Sequence, residues 1–141
     1  MVSDLKTKEK YMHTILKSLI SYGAVSINDC LEMLNSNEFM HKSKIDCNAM
    51  SYILKTFLTD IATTGAGMHR TCEDGAIENF WYYLNFSGEL CSDHDARCLN
   101  DDGTRFLCDE WQGEHCSIQD IADELALGGW TNGWSNVDCE M

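Results

Sequence analysis

The sequence predicts a mainly α fold with a small β-hairpin. Three observations carry this. Apolar residues recur at helical spacing in the first half of the chain, and an Asp-Gly turn signal sits between two strand-like stretches at its middle. The last third shows no clean period except for one capped helix. The chain of 141 residues therefore divides into an N-terminal domain over residues 7–90 and an acidic, cysteine-rich extension over residues 91–141, with one helix at about 117–127.

From Lys8 to Tyr22, Met12, Ile15, Leu16, Leu19 and Ile20 form one face of an amphipathic helix, and Gly23 stands where a C-terminal cap glycine belongs. Ser26 and Asp29 read as a capping box, with Asp in the usual Glu position. A short helix follows to about Leu34, burying Ile27, Cys30, Leu31 and Leu34. Residues 35–44 read as a polar loop anchored by Phe39 and Met40. A third helix begins near Asp46, a good N-cap residue. Its stripe is Met50, Ile53, Leu54, Phe57, Leu58 and Ile61, and it stops before residues 63–67, which contain Gly65 and Gly67. Met68 to Cys72 and Asn79 to Phe86 then read as two strands around the turn Glu73, Asp74, Gly75. Three helices and a two-stranded wing are the order of a winged-helix domain, expected here for the N-terminal part. Residues 87–116 read as loop. The final helix is capped by Ser117 and Asp120, carries a stripe of Ile118, Ile121, Ala122, Leu125 and Ala126, and ends at Gly128 and Gly129. Trp130 to Trp134 reads as a tight turn between two anchoring tryptophans.

Charge restricts function. The net charge is −13, and it is uneven: residues 1–70 hold seven acids and eight bases, whereas residues 86–141 hold thirteen acids and two bases, Arg97 and Arg105. The third helix offers only Lys55 against Asp46 and Asp60, and the wing turn is itself acidic. The roughly six to ten phosphate contacts that drive duplex affinity cannot be assembled from these residues. Base stacking on Trp81, Tyr82 and Tyr83 has residues to use, but the alternation of the strand assigns one aromatic set to the core and leaves the other for a covering segment or partner. No apolar run approaches the roughly 18–20 residues of a membrane span. The N-terminus lacks the apolar region of a signal peptide, so a soluble intracellular protein with reduced thiols is expected.

Eight cysteines are present. The best metal-ligand set is Cys91, His94, Cys98, Cys108 and Cys116: Cys91 and His94 have ligand spacing, and thiolates with imidazole suit tetrahedral zinc. The adjacent His115 and Cys116 fit one tetrahedral ion poorly, and the alternative is a loop of free cysteines. A calcium loop aligned on Gly103 puts Cys98, Asn100, Asp102 and Asp109 at ligand positions, but Cys98 stands where Asp is required and Arg105 where an apolar residue is required. No catalytic signature is present, and neighbouring Cys and His residues such as His115 and Cys116 seldom face one another productively. No catalytic residue is assigned, and the chain reads as a non-enzyme.

Residues 15–34 (ILKSLISYGAVSINDCLEML), a long helix, and the hairpin TCEDGAIENFWYYLN at 71–85 together resemble the first winged-helix domain of the non-SMC element one subunits of the SMC five–six chromosome-maintenance complex. The matching features are the turn Tyr22, Gly23, Ala24, Val25 and the strand Trp81 to Asn85, over roughly residues 8–90. The resemblance implies a nuclear, DNA-repair setting and a MAGE-type partner protein. The family's RING-like zinc domain, and with it ubiquitin ligation, has no counterpart after residue 90, where no ladder of CxxC pairs occurs.

The expected function is a protein–protein interaction module that docks through Trp81, Tyr83, Trp130 and Trp134 rather than through phosphate contacts. The alternatives are a small zinc-binding domain built on Cys91–Cys116 and an acidic mimic of nucleic acid.

Overall fold

The computed structural model describes residues 2–43, 45 and 49–135. The chain opens with four helices: α1 (Val2–Ser21), α2 (Ile27–Asn35), α3 (Asn37–Ser43) and α4 (Ala49–Thr63). Four strands follow, β1 (Ala66–Thr71), β2 (Ile77–Leu84), β3 (Leu90–Leu99) and β4 (Arg105–His115), then α5 (Ile118–Leu127) and a two-residue strand β5 (Thr131–Asn132). The strands form one antiparallel sheet in the order β4-β3-β2-β1-β5. This is a mixed α/β fold. It corrects the expectation of a mainly α chain with a small hairpin, because residues 87–116, expected as loop, form the two longest strands.

The helices form where the apolar stripes place them. Met12, Ile15, Leu16 and Leu19 of α1 are buried. The helix ends in a Schellman motif: Ala24 N–H donates to Leu19 O at 3.0 Å and Gly23 N–H to Ile20 O at 3.0 Å, with Gly23 at φ 104°. The capping box of α2 is present in full, Asp29 N–H donating to Ser26 Oγ at 3.0 Å and Ser26 N–H to Asp29 Oδ2 at 3.1 Å. Ile27 and Cys30 are buried, and Leu31 and Leu34 are partly buried against the same core. Residues 37–43, expected within a loop, form α3, which buries Met40. In α4, Leu54, Phe57, Leu58 and Ile61 are buried. Asp46, expected to cap that helix, and Cys47 and Cys139 lie outside the described residues, as does the side chain of Met50. The box on Ser117 and Asp120 caps α5, whose Ile118, Ile121, Ala122 and Leu125 are buried.

The three hairpins share one turn. In each, an N–H at the fourth position donates back to the carbonyl at the first, and that fourth residue is a glycine at positive φ. The pairs are Gly75 to Cys72 (2.9 Å), Gly88 to Asn85 (2.9 Å) and Gly103 to Asn100 (3.0 Å), with φ of 88°, 79° and 89°. This is the three-residue hairpin loop closed by a left-handed residue. The first was expected from Asp74-Gly75. The third replaces the calcium-loop alignment: Asp102 accepts from the Thr104 N–H at 3.0 Å and from its hydroxyl at 2.6 Å, so its carboxylate organises a turn.

The helices cover one face of the sheet only. Ala66 and Met68 of β1 and Tyr82 of β2 join the core with Leu16, Leu54 and Ile121. Gly67, His69, Trp81, Tyr83 and Asp93 lie on the opposite face by strand alternation. Residues 133–135 run across part of that face, where Gly133 O pairs with His69 Nδ1 at 2.7 Å and the Asn79 side chain holds Ser135. The expected turn from Trp130 to Trp134 instead contributes β5, which pairs with β1.

Candidate functional site

The structure scatters the five residues selected as metal ligands. Cys98 and Cys108 form a disulfide across β3 and β4, with Cα atoms 6.0 Å apart, so neither is a thiolate ligand and the expectation of reduced thiols is corrected at this pair. His94 lies between the rings of Phe80 and Trp111, at centroid distances of 4.4 and 4.9 Å. Cys91 is buried and faces His115 Nδ1 at 3.8 Å, its cross-strand partner. Burial pushes the Cys116 thiol up to about 11, which keeps it protonated at neutral pH. Among the described residues, no three His, Cys, Asp or Glu side chains converge to hold a metal ion.

A second polar cluster occupies the helix-side face near the ends of β1 and β2. Arg70 pairs with Glu78 at 3.0 Å, and Cys72 Sγ donates to the same oxygen at 3.1 Å. Burial would raise the Glu78 carboxyl, but these two hydrogen bonds together with the charges of Arg70 and His94 outweigh it and hold it below its ordinary range. Burial and the Glu78 charge push the Cys72 thiol up to about 11, which removes it as a nucleophile. His94 Nε2 lies 3.8 Å from Glu78, and burial pushes the imidazole below its ordinary value against the pull of Glu78, Asp95 and Asp109. The cluster is structural: it ties β1, β2 and β3 together beneath Trp130, over whose ring Arg70 sits at 5.2 Å.

The four tryptophan and tyrosine residues selected as partner contacts separate as well. Trp130 is 4% exposed and donates its indole N–H to Glu124 O at 2.7 Å, so its ring packs with the core. Trp134 is half-buried, its backbone N close above Gly67. Trp81 and Tyr83 remain on the open face, both half-buried.

The geometry around Trp81 is specific. A Cβ added at Gly65 would fall 2.5 Å from its Cζ2, and one added at Gly67 would fall 3.0 Å from its Cε3. The indole therefore lies flat across β1, in space that only two glycines leave open. Asp93 is the direct cross-strand partner of Trp81. Its Oδ1 accepts the Tyr83 hydroxyl at 3.1 Å and the Gly113 N–H at 2.8 Å. Trp81, Tyr83 and Asp93, with Thr63, Thr64 and Gly65 at the end of α4, line a cleft of about 330 Å³. Desolvation and the bond to Asp93 raise the Tyr83 phenol, so it stays a neutral donor.

Beside this cleft the β3–β4 hairpin projects from the sheet edge. From Phe106 to His115 every residue of β4 is exposed, including the apolar Phe106, Leu107 and Trp111. Asp109, Glu110 and Glu114 stand among them, and Asp101 and Asp102 form the tip. β4 is terminal in the sheet order, so one side of its backbone meets no other strand. Sequence reasoning missed Asp93 and Trp111. The signal for Asp93 was the pair of glycines at 65 and 67 one hairpin away from Trp81, which only a strand register connects.

No family model matches this chain, and no curated protein or solved structure matches it either. No described helix is long and apolar enough to cross a membrane.

Proposed function

We propose that this chain is a protein-interaction module that docks a basic partner protein through the acidic edge of its sheet. The observation that supports this is β4: an eleven-residue edge strand, exposed over ten of those residues, that mixes three large apolar side chains with three carboxylates. A solvated edge strand is normally short, bulged or charged to prevent pairing. This one is bulged opposite Ser92–His94 and Ala96–Arg97, and beyond Arg105 its exposed residues carry only carboxylates and no Lys or Arg, which repels like copies and favours a basic surface. The apolar residues supply contact area, and the open backbone edge supplies main-chain hydrogen bonds to an added strand. Nucleic acid is disfavoured by the same carboxylates, which repel phosphate. The resemblance to the non-SMC element one subunits supplies no part of this reading.

Binding of a fluorescein-labelled polyarginine peptide tests the proposal. The double variant Asp109→Lys/Glu110→Lys should weaken it by about ten-fold or more, equivalent to about 1.4 kcal/mol. Glu32→Lys/Glu38→Lys, an equal charge change on α2 and α3, should weaken it far less. Equal effects of the two double variants would show that net charge alone is read, and salt-sensitive binding to duplex DNA by the unaltered protein would overturn the proposal outright.

A further inference from the structure

We propose that the cleft formed by Trp81, Tyr83, Asp93 and the C-terminal end of α4 receives the guanidinium of an arginine on the partner protein. This rests on the docking reading above and names what the open face recognises beside the acidic edge.

Three independent features of the cleft favour a cation. The first is the Trp81 platform. One face of its indole is pressed on Gly65 and Gly67, and the ring lines the cleft. An aromatic face carries negative quadrupole density and attracts a cation within about 6 Å. The second is Asp93. Both of its internal hydrogen bonds fall on Oδ1, from the Tyr83 hydroxyl and the Gly113 N–H, which orients the carboxylate and leaves Oδ2 outside both. The third is α4, which ends at Thr63 with no basic residue in its last turn. The Thr63 hydroxyl donates to Thr59 O and Asp60 O, but no cationic side chain offsets the partial negative charge of this helix end, and a cation is favoured there.

The chain does not fill the cleft with its own arginines. Arg70 pairs with Glu78, Arg97 with Asp95, and Arg105 donates to Gly75 O at 2.7 Å. No basic side chain lines the cleft. Arginine fits better than lysine because its planar guanidinium stacks flat on an indole while its edge forks to a carboxylate. A nucleic-acid base would use the same platform but bring its phosphates against Asp93 and the acidic hairpin.

The test follows the indole N–H resonance of Trp81, assigned by its loss in Trp81→Phe, during titration with a glycine-flanked arginine peptide. A saturable shift is expected, absent with the matching citrulline peptide, which keeps the shape without the charge. Asp93→Asn keeps the acceptor for Tyr83 and Gly113, so the fold should be retained, read from an otherwise unchanged amide spectrum. It should weaken the arginine peptide about ten-fold or more, in line with a desolvated charge contact. Tyr83→Phe, which keeps the ring, should weaken it less. Equal shifts with citrulline, tighter binding of spermidine than of the peptide, or an unchanged affinity in Asp93→Asn would overturn the site. If polyarginine binding then still falls in Asp109→Lys/Glu110→Lys, the docking edge stands and only the arginine cleft fails. If neither variant matters, both readings fail.

Discussion

The side chain of Asn79 treats Ser135 as a neighbouring strand would. Its Oδ1 accepts the Ser135 N–H at 2.7 Å and its Nδ2 donates to Ser135 O at 3.2 Å, while Nδ2 also donates to Asp95 Oδ1 at 2.9 Å. Asn79 is fully buried and Asp95 nearly so. One amide thus satisfies the N–H and the carbonyl of Ser135 together with Oδ1 of a buried carboxylate whose Oδ2 pairs with Arg97.

Asn79→Ala should therefore destabilise the protein by about 1–3 kcal/mol, the penalty for unpaired buried polar groups. Asn79→Asp should destabilise it more at neutral pH, because two carboxylates would then face each other across β2 and β3. Urea unfolding midpoints of the two variants check the order. Equal midpoints would show that Asp95 does not depend on this amide.

His94 predicts a pH dependence. Its folded pKa lies below the ordinary 6.5, chiefly through burial. The unfolded chain therefore takes up the proton first as pH falls. The stability tied to neutral His94 is complete above about pH 6.5 and declines as pH drops toward the lowered folded value. Glu78, also lowered, adds loss only below its ordinary 4.5. His94→Gln should flatten the change in thermal midpoint between about pH 7 and about pH 5.5, measured by circular dichroism.

Two glycines at positive φ separate backbone strain from side-chain clash. Gly88 has φ 79° and nothing within 4 Å of an added Cβ, whereas Gly65 has φ 104° and meets the Trp81 ring. Gly88→Ala should destabilise by about 1–2 kcal/mol, the usual left-handed penalty. Gly65→Ala should exceed that and also perturb the Trp81 indole resonance. Equal losses would mean that Trp81 moves aside freely.

The Cys98–Cys108 disulfide closes a short loop, its cysteines ten residues apart in sequence, at the base of the acidic tip. Loop-closure entropy for such a span corresponds to about 2–3 kcal/mol. Adding a reductant should lower the thermal midpoint of the unaltered protein to that of Cys98→Ser/Cys108→Ser, and it should leave the double variant unchanged.

Ser117→Ala removes the cap of α5 and should destabilise by about 1 kcal/mol. A denaturant series comparing it with Ser117→Thr, which keeps the capping hydroxyl, reads this difference.

The capping boxes at Ser26 and Ser117 and the stripes of α1 and α5 were legible because their signals are local: each cap reads three residues ahead, and each stripe repeats every turn. The first hairpin was legible from Asp74-Gly75. The other two carried the same glycine at the fourth turn position, at 88 and 103, but their strands hid them. β4 carries one extra residue opposite Ser92–His94 and another opposite Ala96–Arg97, and these two bulges break its two-residue alternation. β4 is exposed on both faces, so burial imposes no period on its side chains. An edge strand looks like a loop when neither face is buried.

Local chemistry in the sequence determined where helices begin and end, where the first turn falls, and that the chain's last third is strongly acidic. Tertiary structure alone decided the rest. Strand register set Asp93 opposite Trp81, and Gly65 and Gly67 let that indole lie flat. Pairing of β3 with β4 bonded Cys98 to Cys108 and separated them from His94, and packing took Trp130 into the core. These relations join residues ten to sixty positions apart, and no spacing rule spans a distance that only sheet pairing brings together.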